Sequence, residues 1–137
     1  MNKDQLQDLS KTRIKEARVL LRNNCFDGAY YLAGYSVECA LKACIAKQIR
    51  QHDFPDKDLA MKSYSHIIGD LVKAAGLDVQ RQNEQNSNQD FAVNWSIAQR
   101  WRETSRYESK SQQEAEELFT SIISRKGGVL RWIQQHW

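Results

Sequence analysis

One segment of this chain, residues 25–51, repeats its apolar side chains every three or four positions and contains no proline. That period is typical of an amphipathic helix, so the segment predicts a helix of about seven turns. Because it is the longest and most apolar segment, we expect it at the centre of the fold. Pro55 and its neighbours end the helix, since proline cannot continue one and pushes the preceding residue toward extended geometry. The predicted stripe consists of Phe26, Tyr30, Ala33, Val37, Ala40, Leu41 and Cys44.

The remaining chain shows the same helical period, and its six glycines and one proline are too few for a turn-rich β fold. We therefore predict a single all-α domain over residues 1–137, an up-and-down bundle of about four to five helices. The polar stretch 78–90 has no period and is expected to be a flexible surface loop. The other predicted elements are helices at 2–22, 65–75 and 90–107, a helical turn at 57–63, a helix that a capping box at Ser111 and Glu114 opens, and a C-terminal helical extension at 128–137.

The composition and charge of the chain also limit the classes of protein to which it can belong. Hydrophobic residues make up 41% and charged residues 27%, and the net charge of +3 is too small to indicate nucleic-acid binding by itself. No apolar run approaches the roughly 20 residues that cross a bilayer, and the polar opening is not a signal peptide. We therefore expect a cytoplasmic protein that does not associate with membranes.

Neither a metal site nor a cofactor is predicted. The histidines, His52, His66 and His136, fall in three different elements, whereas a helical metal site favours two ligands four positions apart. Cys39 and Cys44 project about 140° apart on one helix, so they cannot share a metal, and with Cys25 they are expected to be reduced thiols. The chain also lacks a glycine-rich phosphate loop, an HExxH helix and a GxSxG turn.

Two groups of polar and aromatic residues are candidates for a binding site. We expect Glu38 to accept a bidentate hydrogen bond from one of two arginines, leaving the other arginine and Lys42 for a phosphate. The same residues also fit a helix surface with a local ion pair, solvated arginines and packed phenols. The first group is Tyr31, Tyr35, Glu38 and Lys42 on the second helix, and the second is Arg102, Arg106 and Tyr107 on successive turns of the fourth.

Residues 17–45, ARVLLRNNCFDGAYYLAGYSVECALKACI, resemble the second-helix region of the HEPN family (higher eukaryote and prokaryote nucleotide-binding domain). The segments SYSHIIGDLVKAAGL (63–77) and WRETSRYES (101–109) follow in the order that family shows. The resemblance implies a helical bundle, commonly a homodimer, that works on nucleotides or RNA. It also implies membership of a two-gene toxin–antitoxin or defence module whose partner is a small nucleotidyltransferase.

The resemblance implies site residues as well. Glu38 and Lys42 match the family's Glu-x(3)-Lys, Arg106 and Tyr107 match its Arg-Tyr, and His66 matches its third-helix histidine, more often a packing residue than a base. Binding of a nucleotide, an RNA or a protein through a cleft between the second and fourth helices is therefore the function we expect.

Many members of the family are metal-independent ribonucleases that use an Arg, four to six residues and a His. The expected region, residues 102–109, contains no histidine. The one literal match, Arg131 to His136, lies at the C-terminus, with Trp132 where a polar residue is usual. A ribonuclease that uses Arg131 and His136 is one alternative function. A non-catalytic helical module for protein interaction is the other.

Overall fold

The computed structural model describes residues 1–49, 54 and 56–137. These residues form helices and no strand, which confirms the all-α class. The helices are α1 (Lys3–Arg22), α2 (Phe26–Lys47), α3 (Lys57–Ser63), α4 (Ile68–Ala74), α5 (Asp78–Ser87), α6 (Gln89–Ala98), α7 (Gln112–Ile123) and α8 (Val129–Gln134), with a 3₁₀ helix at Glu103–Tyr107 between α6 and α7.

The first two helices form an antiparallel hairpin. Asn2 and Gln5 close a capping box at the start of α1. Asn24, which takes a left-handed backbone with φ of 59°, turns the chain into α2. The Ser10 hydroxyl on α1 donates to the Ser36 carbonyl on α2 at 2.7 Å, and both residues are fully buried. The hairpin therefore satisfies a buried hydroxyl where the two helices pack together.

Helix α2 is the centre of the fold, as predicted. Twelve of its 22 residues are buried, and it packs against α1, α4, α7, α8 and the 3₁₀ helix. Its alanines at 33, 40 and 43 are completely covered. Small side chains at these positions let neighbouring helices approach closely, so polar residues carried by α2 are surrounded by several elements.

The expected loop at 78–90 is wrong, because residues 78–87 form α5. The segment has no apolar period, but its side chains pair along the helix. The Arg81 guanidinium donates to Asp78 at 3.0 Å and to Gln85, and it lies 5.5 Å from the centre of the Trp95 ring. Helix-forming polar residues and these i, i+3 and i, i+4 pairs stabilise a helix that hydrophobic period alone does not predict.

The predicted helix over 90–107 is also wrong in its second half. Helix α6 ends at Ala98, and Trp101 turns into the core before the 3₁₀ helix begins. The Arg102 guanidinium donates to the carbonyl oxygens of Gln99 and Trp101, both at 2.9 Å, which satisfies backbone acceptors at the helix end. Arg102, Arg106 and Tyr107 therefore do not lie on successive turns of an α-helix.

The helix count and two other boundaries differ from expectation. The described residues contain eight α-helices rather than four or five, because α3, α5 and α8 are short separate helices in addition to the five predicted. Helix α4 begins at Ile68 rather than at Ser65, whose hydroxyl accepts from the Ile67 backbone N–H at 3.1 Å. Helix α2 ends at Lys47. The predicted stop at Pro55 and the residues 50–53 lie outside the described part of the chain.

The C-terminal elements follow the prediction. Ser111 and Glu114 form the capping box that opens α7, and α8 lies within the predicted extension. Gly127, at φ of 70°, separates the two helices. A Cβ there would collide with the backbone of Asp90 and Phe91. The turn is therefore pressed directly onto the start of α6.

Candidate functional site

A single buried carboxylate organises the polar residues around α2. Glu38 is 2% exposed and lies on the packed side of the central helix. Its Oε1 atom accepts from Lys42 Nζ at 2.9 Å and faces His66 Nδ1 at 2.7 Å. A buried charge is costly unless it is paired or hydrogen-bonded, so the contacts with Lys42 and His66 help to keep Glu38 inside the protein.

The ring of His66 connects this carboxylate to the 3₁₀ helix. His66 lies just before α4, and its Nε2 atom is 3.3 Å from Oε2 of Glu103. A neutral imidazole has one N–H and can donate to only one of these carboxylates, whereas the imidazolium can donate to both. The arrangement holds the ring in one orientation and links α2, the start of α4 and the 3₁₀ helix in one network.

Aromatic rings pack beside this network on the same helix. The rings of Tyr31 and Tyr35 stack at 6.0 Å with an interplanar angle of 7°. Trp101 stacks on Tyr31 at 6.0 Å. The indole also lies over Gly34, where any Cβ would overlap the ring. Glycine at this position therefore lets a completely buried Trp101 pack directly on the helix backbone.

The junction between α2 and the 3₁₀ helix contains polar atoms without partners. Glu38 Oε2, Trp101 Nε1 and Ser105 Oγ are all buried, and none makes a hydrogen bond with any residue that the structure describes. The Glu38 carboxylate oxygen accepts a hydrogen bond, the Trp101 indole N–H donates one, and the Ser105 hydroxyl can do both. Buried polar groups are rarely left unpaired, so three in one junction mark it as unusual.

The expected pairing of Glu38 with an arginine is not found. Its described partners are Lys42 and His66. Arg102 instead binds the backbone oxygens at the end of α6. The Arg106 guanidinium lies 4.8 Å from the centre of the Tyr107 ring, and the pKa of Arg106 is raised, chiefly by Tyr107.

The structure nevertheless brings most of the predicted residues to one region. Tyr31, Tyr35, Glu38 and Lys42 share α2 as expected, and the 3₁₀ helix that carries Arg106 and Tyr107 packs against it. A pocket of about 310 Å³ opens beside them. It is lined by Tyr64, Ser65, His66, Ile67, Arg102, Glu103 and Thr104. His66 thus contacts the buried carboxylate behind and the pocket in front.

Arg131 and His136 lie outside this region and contact different residues. Arg131 lines another pocket, beside α8. His136 packs edge-on against Trp132 at 5.2 Å, and its backbone oxygen accepts from Lys47 Nζ at 3.5 Å. Burial, followed by the charge of Lys47, lowers the pKa of His136. No hydrogen bond joins the side chains of Arg131 and His136 in the described structure.

Sequence reasoning missed Glu103, Trp101 and Ser105 as members of this region, and it treated His66 as a helix-start or packing residue. One signal was available: Glu38 is the single acidic residue within the most apolar helical stretch, 28–47. A carboxylate in such a position requires donors from other elements. Which donors reach it depends on where α4 and α6 begin and end.

Comparison with family models, with curated proteins and with solved structures finds no match for this chain. No helix in the described ranges is both long enough and apolar enough to cross a membrane. The same ranges contain no group of three or more histidine, cysteine, aspartate or glutamate side chains placed to hold a metal ion.

Proposed function

We propose that this protein binds a nucleotide or a single-stranded RNA at the pocket beside His66. The observation that carries the proposal is the buried Glu38, which holds the ring of His66 at the wall of a pocket that Arg102 also lines. A polar group fixed by a buried carboxylate is preorganised for binding, since its orientation costs no further ordering.

The chemistry of the rim fits a phosphate and a base. The side chain of Arg102 is exposed, and its guanidinium retains donors beyond the two carbonyl contacts. Arg106 is exposed as well. Tyr64 in the pocket wall and Tyr107 on the 3₁₀ helix are 74% and 78% exposed, so both offer ring faces on which a base can stack.

Fluorescence anisotropy with a labelled single-stranded RNA, and competition by mononucleotides, tests this proposal. Replacement of Arg102 or Arg106 by Ala removes a charged donor and should weaken binding about tenfold. Replacement of Arg22, an exposed arginine at the end of α1, is the matched control and should leave affinity unchanged. Circular dichroism should show the same helix content in all variants. Unchanged affinity in both the Arg102 variant and the Arg106 variant would reject the site.

A metal-independent ribonuclease is the second candidate, because the Glu38–His66 pair resembles a carboxylate-oriented base. In that reaction His66 would take the proton of the ribose 2′-hydroxyl as its oxygen bonds to phosphorus, and Arg102 would stabilise the charged phosphorane. The bond from phosphorus to the 5′-oxygen would then break, and this leaving oxygen would take a proton from water. However, the free ring nitrogen faces Glu103 at 3.3 Å, so Glu103 must move before His66 can reach a substrate. Binding is therefore the function that this geometry favours.

Incubation of purified protein with RNA in the presence of a chelator separates the candidates. Cleavage that His66→Ala abolishes and His136→Ala retains would establish a ribonuclease centred on His66. Cleavage lost only in His136→Ala would instead establish the Arg131 and His136 pair. Absence of cleavage, together with binding that depends on Arg102, would support the binding function.

We further propose that the protein acts as a homodimer within a two-gene toxin–antitoxin or defence module whose other product is a small nucleotidyltransferase. The support is the resemblance of residues 17–45 to the HEPN family. Light scattering of the purified protein tests the dimer. Co-expression with the product of the adjacent gene, followed by affinity purification, tests the partner, and a monomer that captures no such enzyme would overturn this proposal.

A further inference from the structure

A separate pocket of about 550 Å³ lies between the start of α6, the turn after α7, and α8. It shares no lining residue with the pocket beside His66. Its volume falls within the range of roughly 300–1,000 Å³ that small-molecule sites occupy. The proposed nucleotide or RNA site makes no use of it.

The frame of this pocket is rigid. Gly127 and Gly128 form the turn that connects α7 to α8, and the turn is pressed onto the backbone of Phe91. The Asn94 side-chain amide donates to the carbonyl oxygens of Lys126 at 3.4 Å and Gly127 at 3.0 Å. The turn and the helix that follows are therefore fixed relative to α6, as a preformed binding site requires.

Two guanidiniums border the pocket without carboxylate partners. Arg125 and Arg131 are exposed, and neither forms an ion pair with a residue that the structure describes. Glu84 is the one acidic residue among the lining residues, and its Oε1 atom accepts from the Asn88 side chain at 3.1 Å. The pocket therefore presents more positive than negative charge.

The other polar groups of the lining are carboxamides. The side chains of Gln134 and Gln135 make no hydrogen bond with the described residues, so each has a donor and an acceptor available. Trp132 and Phe91 also line the pocket and are almost completely buried. The lining of the pocket thus combines two planar cations, two uncommitted amides and two aromatic rings.

We propose that this pocket binds a phosphate monoester. Two guanidinium groups can each donate a pair of parallel hydrogen bonds to phosphate oxygens, and together they match a dianion. The amides of Gln134 and Gln135 then suit a polar body such as a sugar or a base. The monoester can belong to a free phosphorylated metabolite or to the terminal phosphate of an RNA.

Isothermal titration calorimetry with three probes tests the proposal: inorganic phosphate, adenosine 5′-monophosphate, and an RNA octamer with and without its 5′-phosphate. Replacement of Arg125 or Arg131 by Ala should weaken phosphate binding about tenfold. Arg131→Lys should retain part of the affinity, because lysine keeps the charge but loses the planar fork. Arg100→Ala, a change at an exposed arginine outside the pocket, is the control and should bind as the wild type does.

The location is tested independently by nuclear magnetic resonance. Phosphate should shift the backbone amide signals of Gly127 and Gly128 and the indole signal of Trp132, and Arg102→Ala should leave these shifts unchanged. Binding of phosphate and the mononucleotide supports a free metabolite, whereas binding only of the 5′-phosphorylated RNA supports a terminal phosphate. The proposal is overturned if no probe binds, if an Arg125→Ala, Arg131→Ala double variant binds all probes equally well, or if the RNA binds equally with and without its 5′-phosphate while the small probes fail.

Discussion

Glu38 and His66 are 28 positions apart in the chain, and their side chains meet at 2.7 Å across the contact between α2 and the start of α4. Glu38 is almost completely buried, whereas the His66 side chain is 43% exposed. The buried carboxylate on the central helix therefore holds the His66 ring in place at the wall of a pocket.

Replacement of Glu38 by Gln should destabilise the protein. The amide keeps the shape of the side chain but removes the charge that pairs with Lys42 and His66. We expect the free energy of unfolding to fall by about 2 kcal/mol, measured by urea denaturation. Glu16→Gln, in the partly exposed pair with Arg13, is the control and should cost about 0.5 kcal/mol or less. Equal stability of the two variants would show that the Glu38 network contributes nothing.

Addition of one methyl group at Gly34 should disturb the contact with Trp101. A Cβ at this position overlaps the indole ring, which is itself fully buried. Gly34→Ala should therefore lower stability by about 1–3 kcal/mol, despite the higher helix propensity of alanine. Gly69→Ala, where the added Cβ meets nothing within 4 Å beyond its chain neighbours and its own helix backbone, should instead raise stability by up to about 1 kcal/mol. Thermal melts of both variants measure the two effects, and changes of the same sign would contradict the packing described here.

The three cysteines should differ sharply in reactivity. Burial raises the pKa of Cys39 and of Cys44 to about 11, so at pH 8 only about one thiol in a thousand is ionised. Cys25 is exposed. A maleimide reagent should therefore label one site per folded chain, identified by mass spectrometry as Cys25, and three sites in urea. Rapid labelling of Cys39 or Cys44 in the folded protein would show that α2 is less well covered than described.

His136 should make stability depend on pH. Burial and Lys47 lower its pKa in the folded state, so the unfolded chain binds the proton more tightly. The contribution of His136 to stability is present above its pKa of about 6.5 in the unfolded chain, and it is lost as the pH falls toward its lower pKa in the folded protein. His136→Gln should therefore flatten the decline of the unfolding free energy between about pH 7 and pH 5, measured by urea titrations. The same slope in both proteins would contradict this assignment.

Local patterns predicted the elements that depend on local chemistry. The apolar stripe of α2 and the capping box at Ser111 depend on residues within a few turns, and both are found. Helix α5 escaped prediction because its stability comes from side-chain pairs such as Arg81 with Asp78 rather than from an apolar face. The spacing of apolar residues does not indicate a helix that has no apolar face.

The partners of Glu38 could not be predicted for a different reason. An arginine and a histidine are both plausible donors, and the choice depends on backbone geometry that forms only in the folded protein. Trp101 ends α6 by packing onto Gly34, which places Arg102 against the carbonyl oxygens of its own helix end. His66 then lies ahead of α4 and reaches the carboxylate.

The three unpartnered polar atoms between α2 and the 3₁₀ helix have a dynamic consequence. Glu38 Oε2, Trp101 Nε1 and Ser105 Oγ have no hydrogen-bond partner among the described residues, so separation of this junction breaks no hydrogen bond at these atoms and exposes them to bulk water. The five residues of the 3₁₀ helix should therefore exchange their amide hydrogens sooner than the neighbouring turns of α2 and α7. Local opening of the fold should therefore begin at the 3₁₀ helix, which carries Arg106 and Tyr107.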